Sequence, residues 1–278
     1  MRWWRGTMLR KAQPLADSLY LPSALPVAGP IEFIDMAFTA DRDTQVLRAI
    51  GDRDPAAPFA YIVTPNVDHV VRLQRSRSDL WPAYRTAWMT LCDSRILSRL
   101  AQRSGFPLPV LPGSDLTLRM IETVIARGDR VAILGGGADR VAALADRHGL
   151  RNVVHHEPPM GFIDDPAAIG RAARFVIDAR ARYCFFALGS PQQEMLAYRI
   201  ARTGGATGIG LCVGASLDFL TGAQRRAPVS MQRMSLEWLY RLGSDPRRLW
   251  RRYLIDGPEI FGIARAWRRT RVATANHR

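Results

Sequence analysis

The residues of this chain that could do chemistry stand where apolar runs end. Asp93 follows the run Ala87-Trp88-Met89-Thr90-Leu91-Cys92 and opens the polar turn Asp93-Ser94-Arg95. A carboxylate at the carboxyl end of a strand can take the proton from a hydroxyl nucleophile as it attacks. It can equally cap the helix that starts near Ile96. Thr64-Pro65-Asn66 offers a hydroxyl and an amide held apart by a stiff proline, a pair suited to binding a sugar or orienting a base. Asn66 would serve as well as the cap of the helix that follows, and the two roles are compatible. Gly135-Gly136-Gly137 follows a third apolar run, so its N–H groups could approach a diphosphate or a ribose. That spacing is not G-x-G-x-x-G, and no carboxylate stands at the end of the next expected strand. Ser190-Pro191-Gln192-Gln193-Glu194 closes a fourth run. Gln193 there could bond a base edge or a sugar, or Ser190 and Glu194 could simply cap a helix.

These positions require a scaffold that brings strand ends together. Apolar runs at 59–63, 86–91, 130–134, 152–155, 183–188 and 207–213 read as strands. Helical patterns at 43–51, 67–75, 96–105, 116–126, 139–148, 166–181 and 192–203 fall between them. Short apolar runs alternating with helices of this length predict an α/β fold, a Rossmann-like and largely parallel sheet with helices on both faces. Residues 1–30, rich in Pro and Arg, read as an N-terminal arm, 31–227 as the α/β catalytic domain and 228–278 as a basic amphipathic helical appendage. In the appendage, helical spacing puts Leu249, Trp250, Tyr253 and Leu254 on one side and Arg248, Arg251 and Arg252 on the other.

Several motifs, in order, resemble the WecG/TagA/CpsF glycosyltransferases (glycosyltransferase family 26). They are Thr64-Pro65-Asn66, Cys92-Asp93-Ser94-Arg95, Gly113-Ser114-Asp115-Leu116, Gly189-Ser190-Pro191-x-Gln193-Glu194, Gly214-x-Ser216-x-Asp218-Phe219-Leu220-x-Gly222, Arg226-Ala227-Pro228 and Leu236-Glu237-Trp238-Leu239-Tyr240-Arg241. Together they cover most of the chain, from Ile31 to Phe261. The resemblance implies an inverting transfer of a sugar from a UDP-sugar donor to a polyprenyl-diphosphate-linked saccharide, in bacterial exopolysaccharide or cell-surface polysaccharide synthesis. It implies Asp93 as the base and Thr64, Asn66, Arg95, Gln193 and Glu194 as substrate contacts. Gly135, Gly136, Gly137 and Ser190 would hold the nucleotide, and Arg241, Arg248 and Arg251 the diphosphate. The family usually shows Asp-Gly where this chain has Asp93-Ser94, a departure that keeps the carboxylate. The resemblance also points to catalysis without metal or other cofactor. Asp41-Arg42-Asp43 and Asp52-Arg53-Asp54 spell the metal-binding D-x-D, but they flank an expected helix and read as capping and solvated charge.

Composition narrows the classes further. At 278 residues and 47% hydrophobic, the chain can bury a substantial core and is neither disordered nor fibrous. Cys92, Cys184 and Cys212 lack C-x-x-C spacing and read as buried thiols of a cytoplasmic protein. No run is long enough to span a bilayer. The net charge of +14 asks for an anionic partner, and the last fifth, with thirteen arginines against four carboxylates, holds +9 of it. That tail fits an anionic inner-membrane surface, which makes the protein peripheral on the inner face of the cell membrane. No nucleic-acid-binding motif accompanies the charge. Strand-Gly-Gly-Gly-helix alone would also fit an NAD(P)-dependent oxidoreductase, although the basic tail then has no purpose. The transferred sugar and self-association into a homo-oligomer stay open.

Overall fold

The computed structural model describes residues 29–214, 216, 217, 227, 228, 231, 234 and 236–275, without the side chains of 248 and 272–275. Almost all of the expected arm at 1–30 therefore lies outside the described residues, as do Asp218, Arg225 and Arg226.

A short antiparallel hairpin, β1 (Ile31–Phe33) and β2 (Met36–Phe38), precedes the main sheet. Six parallel strands follow: β3 (Ala60–Val63), β4 (Met89–Thr90), β5 (Val131–Gly135), β6 (Val153–His156), β7 (Tyr183–Ala187) and β8 (Ile209–Cys212), in the order β4-β3-β8-β7-β5-β6. Helices α1 (Asp43–Asp52), α2 (Val67–Arg75), α3 (Trp81–Arg85), α4 (Arg95–Gln102), α5 (Gly113–Thr123), α6 (Ala138–His148), α7 (Pro166–Ala179) and α8 (Gln192–Thr203) connect them. The parallel α/β architecture read from the sequence is thus present, with helices packed on the two faces of the sheet. Successive strand residues are buried on opposite faces: Tyr61 and Val63 join one core and Ala60 and Ile62 the other, while Cys184 and Phe186 separate likewise from Tyr183 and Phe185. Fully burying a large apolar side chain contributes roughly 1.5–3 kcal/mol. Strands covered on both faces therefore read as unbroken apolar runs rather than as alternation.

One strand is shorter than its apolar run. Residues 86–91 were expected to be extended, but β4 keeps only two of them. Pro82 starts the extra helix α3, and the Thr86 hydroxyl donates to the Pro82 carbonyl at 2.7 Å, which holds that end of the run in the helix.

The appendage contributes α9 (Glu237–Ser244), α10 (Pro246–Arg251), a π turn (Arg252–Asp256) and the long α11 (Glu259–Ala275). Helix α11 is seated in the main core. Ile260, Ile263 and Ala264 are buried, and Trp267 meets Phe33 and Phe106 edge-on at 5.2 and 5.8 Å. Arg75 of α2 pairs with Glu259 at 2.8 Å.

Candidate active site

Backbone pairing continues past β4 and delivers Asp93 to the carboxyl end of the sheet. Leu91 N–H donates to the Val63 carbonyl at 2.9 Å, Asp93 N–H to Pro65 at 3.0 Å and Leu111 N–H to Cys92 at 3.0 Å. Helix α4 is capped by Ser94, whose Oγ accepts the Leu97 N–H at 3.2 Å. The capping alternative for Asp93 is therefore filled by its neighbour, and the half-buried Asp93 carboxyl stands in a cavity instead. Desolvation pushes its pKa up to about 7, helped by the like charges of Glu237 and Asp115. The Arg241 guanidinium and a backbone hydrogen bond at Gly113 pull the other way. A carboxyl balanced near neutrality suits proton transfer at physiological pH.

The cavity holds about 340 Å³ and lies between core and appendage. From the core, Asn66, Asp68, Asp93 and Arg95 line it; from the appendage, Glu237, Arg241 and Arg252. Trp238, Leu254 and Phe261 form an apolar wall. Arg95 reaches Glu237 at 3.7 Å, so an ion pair joins floor and roof. Asn66 does both things read from the sequence: it lines the cavity and caps α2, its Oδ1 accepting from the N–H groups of Asp68 and His69 at 3.0 and 3.4 Å. Thr64 is buried nearby and donates to the Cys212 carbonyl at 3.0 Å, tying β3 to β8. A Cβ on Gly113 would lie 3.1 Å from the Thr64 Oγ1, so glycine lets α5 begin against it.

A second constellation sits where β5 and β7 run side by side. The chain leaves β5 toward β6 and leaves β7 toward β8, in opposite directions, which makes this the switch point of the sheet. Gly135, Gly136 and Gly137 all have positive φ, and a Cβ on Gly135 would fall 2.6 Å from the Ala187 carbonyl oxygen. The loop can therefore press against β7 only as glycine. The Gly137 N–H donates to Glu157 at 2.8 Å, and His155 Nε2 lies 3.1 Å from the Gly135 carbonyl and 3.3 Å from Glu157. This corrects one expectation: a carboxylate does stand at the end of the neighbouring strand. Strand β6 runs one residue beyond its expected end, and Glu157 follows it directly.

Ser190 Oγ accepts from Arg72 at 3.3 Å. Gln193 and Glu194 lie beneath that loop rather than on a surface. Gln193 accepts the Gly214 N–H and donates to Glu194 Oε1, both at 2.8 Å. Glu194 is fully buried, its Oε2 has no partner among the described residues, and desolvation raises its pKa.

The arginines divide. Arg241 lines the cavity, Arg251 is exposed outside its lining, and the Arg248 side chain lies outside the described residues. Helical spacing had put Arg252 on the solvated side with Arg251, but the buried side of this helix runs through Leu249, and Arg252, three residues on, lines the cavity. Of the D-x-D triplets, Asp43 pairs with Arg119 at 2.8 Å, Asp52 with Arg48 at 3.3 Å, and Asp54 accepts the Ala56 N–H at 2.9 Å, whereas Asp41 and Arg53 are buried and not the solvated charges expected. Among the described residues no group of three or more His, Cys, Asp or Glu is placed to share a metal ion. The three cysteines are free and buried, and burial raises the Cys92 thiol to about 12.

Residues 31–274 match the family described as glycosyl transferase WecG/TagA/CpsF. The chain is 28% identical over 220 residues to the N-acetylglucosaminyldiphosphoundecaprenol N-acetyl-beta-D-mannosaminyltransferases of Staphylococcus aureus strains MW2 and NCTC 8325, covering 77% of this chain and 83% of each relative.

Proposed function

The chain belongs to the WecG/TagA/CpsF glycosyl transferase family, and from that premise we propose an inverting transfer of a sugar from a UDP-sugar to a saccharide on a polyprenyl diphosphate. The observation that carries this reading is Asp93, a carboxyl balanced near neutrality in a cavity shared by core and appendage. The acceptor hydroxyl gives its proton to Asp93 while its oxygen bonds to the anomeric carbon from the face opposite the leaving group. The bond from that carbon to the phosphate oxygen breaks, and UDP leaves with the electron pair. Thr64 and Asn66 hold the strand end around the base, and Arg95 contacts the acceptor. Ser190, Gln193 and Glu194 shape the donor loop from below. Gly135, Gly136 and Gly137 approach the donor diphosphate, with Glu157 placed for the ribose hydroxyls of its nucleoside. Arg241 neutralises charge on the leaving diphosphate, with Arg248 and Arg251 as the further contacts that the family pattern implies.

The relatives' names specify an acceptor on diphosphoundecaprenol and transfer of N-acetylmannosamine, which supports a lipid-linked acceptor here. Trp250, Leu254, Ile255 and Phe261 are each more than half exposed beside the cavity. With the exposed Arg247 and Arg251 they form a surface suited to an anionic leaflet, at roughly 1 kcal/mol per basic residue. No helix among the described residues is long and apolar enough to cross a membrane. The test is UDP release from a panel of UDP-sugars with a saccharide-diphospho-prenol. Turnover with one donor supports the reading, and a panel silent with every lipid-linked acceptor removes it.

A further inference from the structure

We infer that Arg252 contacts the diphosphate of the lipid-linked acceptor, an inference that rests on the cavity being the acceptor site. Arg252 lines that cavity, three residues on from the buried Leu249 and so on a neighbouring helical position. Its partners among the described residues are a long ion pair with Asp68 and the Tyr253 ring, 5.7 Å from the guanidinium carbon. Among the described residues the carboxylate paired with it is Asp68, which is bound more tightly by Arg72 at 2.6 Å, whereas Arg252 Nη2 stands 3.5 Å away. Two guanidiniums thus share one carboxylate. The Arg252 Nε–H is enclosed and has no hydrogen-bond partner among the described residues. A guanidinium on the cavity wall presents a fork of donors that matches phosphate.

The placement selects the acceptor rather than the donor. Arg252 stands beside Leu254 and Phe261, cavity residues with 52% and 54% of their surface exposed, where an isoprenoid chain could leave the cavity for a membrane. The donor crevice between β5 and β7 is separated from β3 by β8. At about 4.8 Å per strand, β7 and β3 lie roughly 10 Å apart. Asp93 and Arg252 share the cavity, so an acceptor sugar bound between them would present its hydroxyl to the base and its diphosphate to the guanidinium. Arg72 extends the arrangement by donating also to Ser190 of the donor loop at 3.3 Å, with Asp68 as the link.

The test uses the full-length protein with Arg252→Met, which keeps an apolar stem, and Arg252→Lys, which keeps the charge. Losing a charge-assisted contact should raise the acceptor KM on the order of ten- to a hundredfold. The UDP-sugar KM should stay within about twofold, and Lys should recover part of the loss. Inorganic pyrophosphate should compete with the acceptor less well in the Met variant. A rise confined to the donor KM would assign Arg252 to the leaving group instead. Unchanged KM values with lowered thermal stability would reduce it to a strut against Asp68. If the wild type uses no lipid-linked acceptor, the functional reading itself fails, and calorimetry with pyrophosphate still decides about Arg252: binding about tenfold weaker in Arg252→Met supports the contact, and equal binding overturns it.

Discussion

At the β3 and β4 end of the sheet, negative charge is carried by a side chain, Asp93, set among Glu237, Arg241 and Arg95 under the appendage. At the β5 and β7 end, the backbone does the work, with three successive glycines at positive φ and the Gly137 N–H held by Glu157. The first region is adjusted by long-range charge and by how closely the appendage covers it. The second is fixed by contact, since a Cβ at Gly135 has no room beside Ala187. One end can therefore lose its chemistry while keeping its shape, and the other should lose shape and ligand together.

The comparison is broken most severely at Asp93. Asp93→Asn should cut turnover by two to four orders of magnitude while UDP binding survives, measured by steady-state rates beside calorimetry. It should also unfold no earlier than wild type above pH 7. The raised folded-state pKa means the carboxyl's contribution to stability is present at low pH and lost as pH rises through about 7. Gly135→Ala should do the reverse, with strain of about 1–3 kcal/mol, a melting temperature several degrees lower and weakened donor binding. Glu194→Gln should have a smaller effect with a defined sign. Burial raises the Glu194 pKa, so wild type loses stability relative to the Gln variant as pH rises, and the gap in melting temperature should widen from pH 5 to pH 8. The smallest effect belongs to metal. EDTA and the double change Asp41→Ala, Asp43→Ala should leave turnover unchanged, and recovery with Mn²⁺ after chelation would require a metal in the mechanism.

What the sequence made legible follows the same division. Buried parallel strands and helices bounded by clear stop residues announce themselves, and 67–75 and 192–203 match α2, capped by Asn66, and α8, which lies between Pro191 and Gly204 without a side-chain cap. The β1–β2 hairpin gave no such signal because its turn uses Ile34 and Asp35 at φ 51° and 59° in place of Gly or Asn. Ile34 is nearly fully buried there, and packing has overridden the turn preference. In the site, Asp93 and Asn66, expected from their strand-end positions, line one cavity with Arg95 and Arg241, which the family resemblance implied. Gln193 and Glu194 look like binding groups in a list of residues but face inward, since the start of α8 is covered by the loop at Gly214. Arg252 was hidden because the apolar stripe was centred on Trp250 and Leu254, which are more than half exposed, whereas the side that packs runs through the buried Leu249.

The pH dependence of kcat/KM tests the base assignment most directly, because it reports the free enzyme's essential groups. With Asp93 as the base, the wild-type rate should rise through pH about 7. Glu237→Gln, which removes a like charge, should move that rise to lower pH, and Arg241→Gln, which removes the opposing one, should move it higher. A profile flat from pH 5 to 9, or one that neither substitution shifts, would contradict the assignment of Asp93 as the group that takes the acceptor's proton.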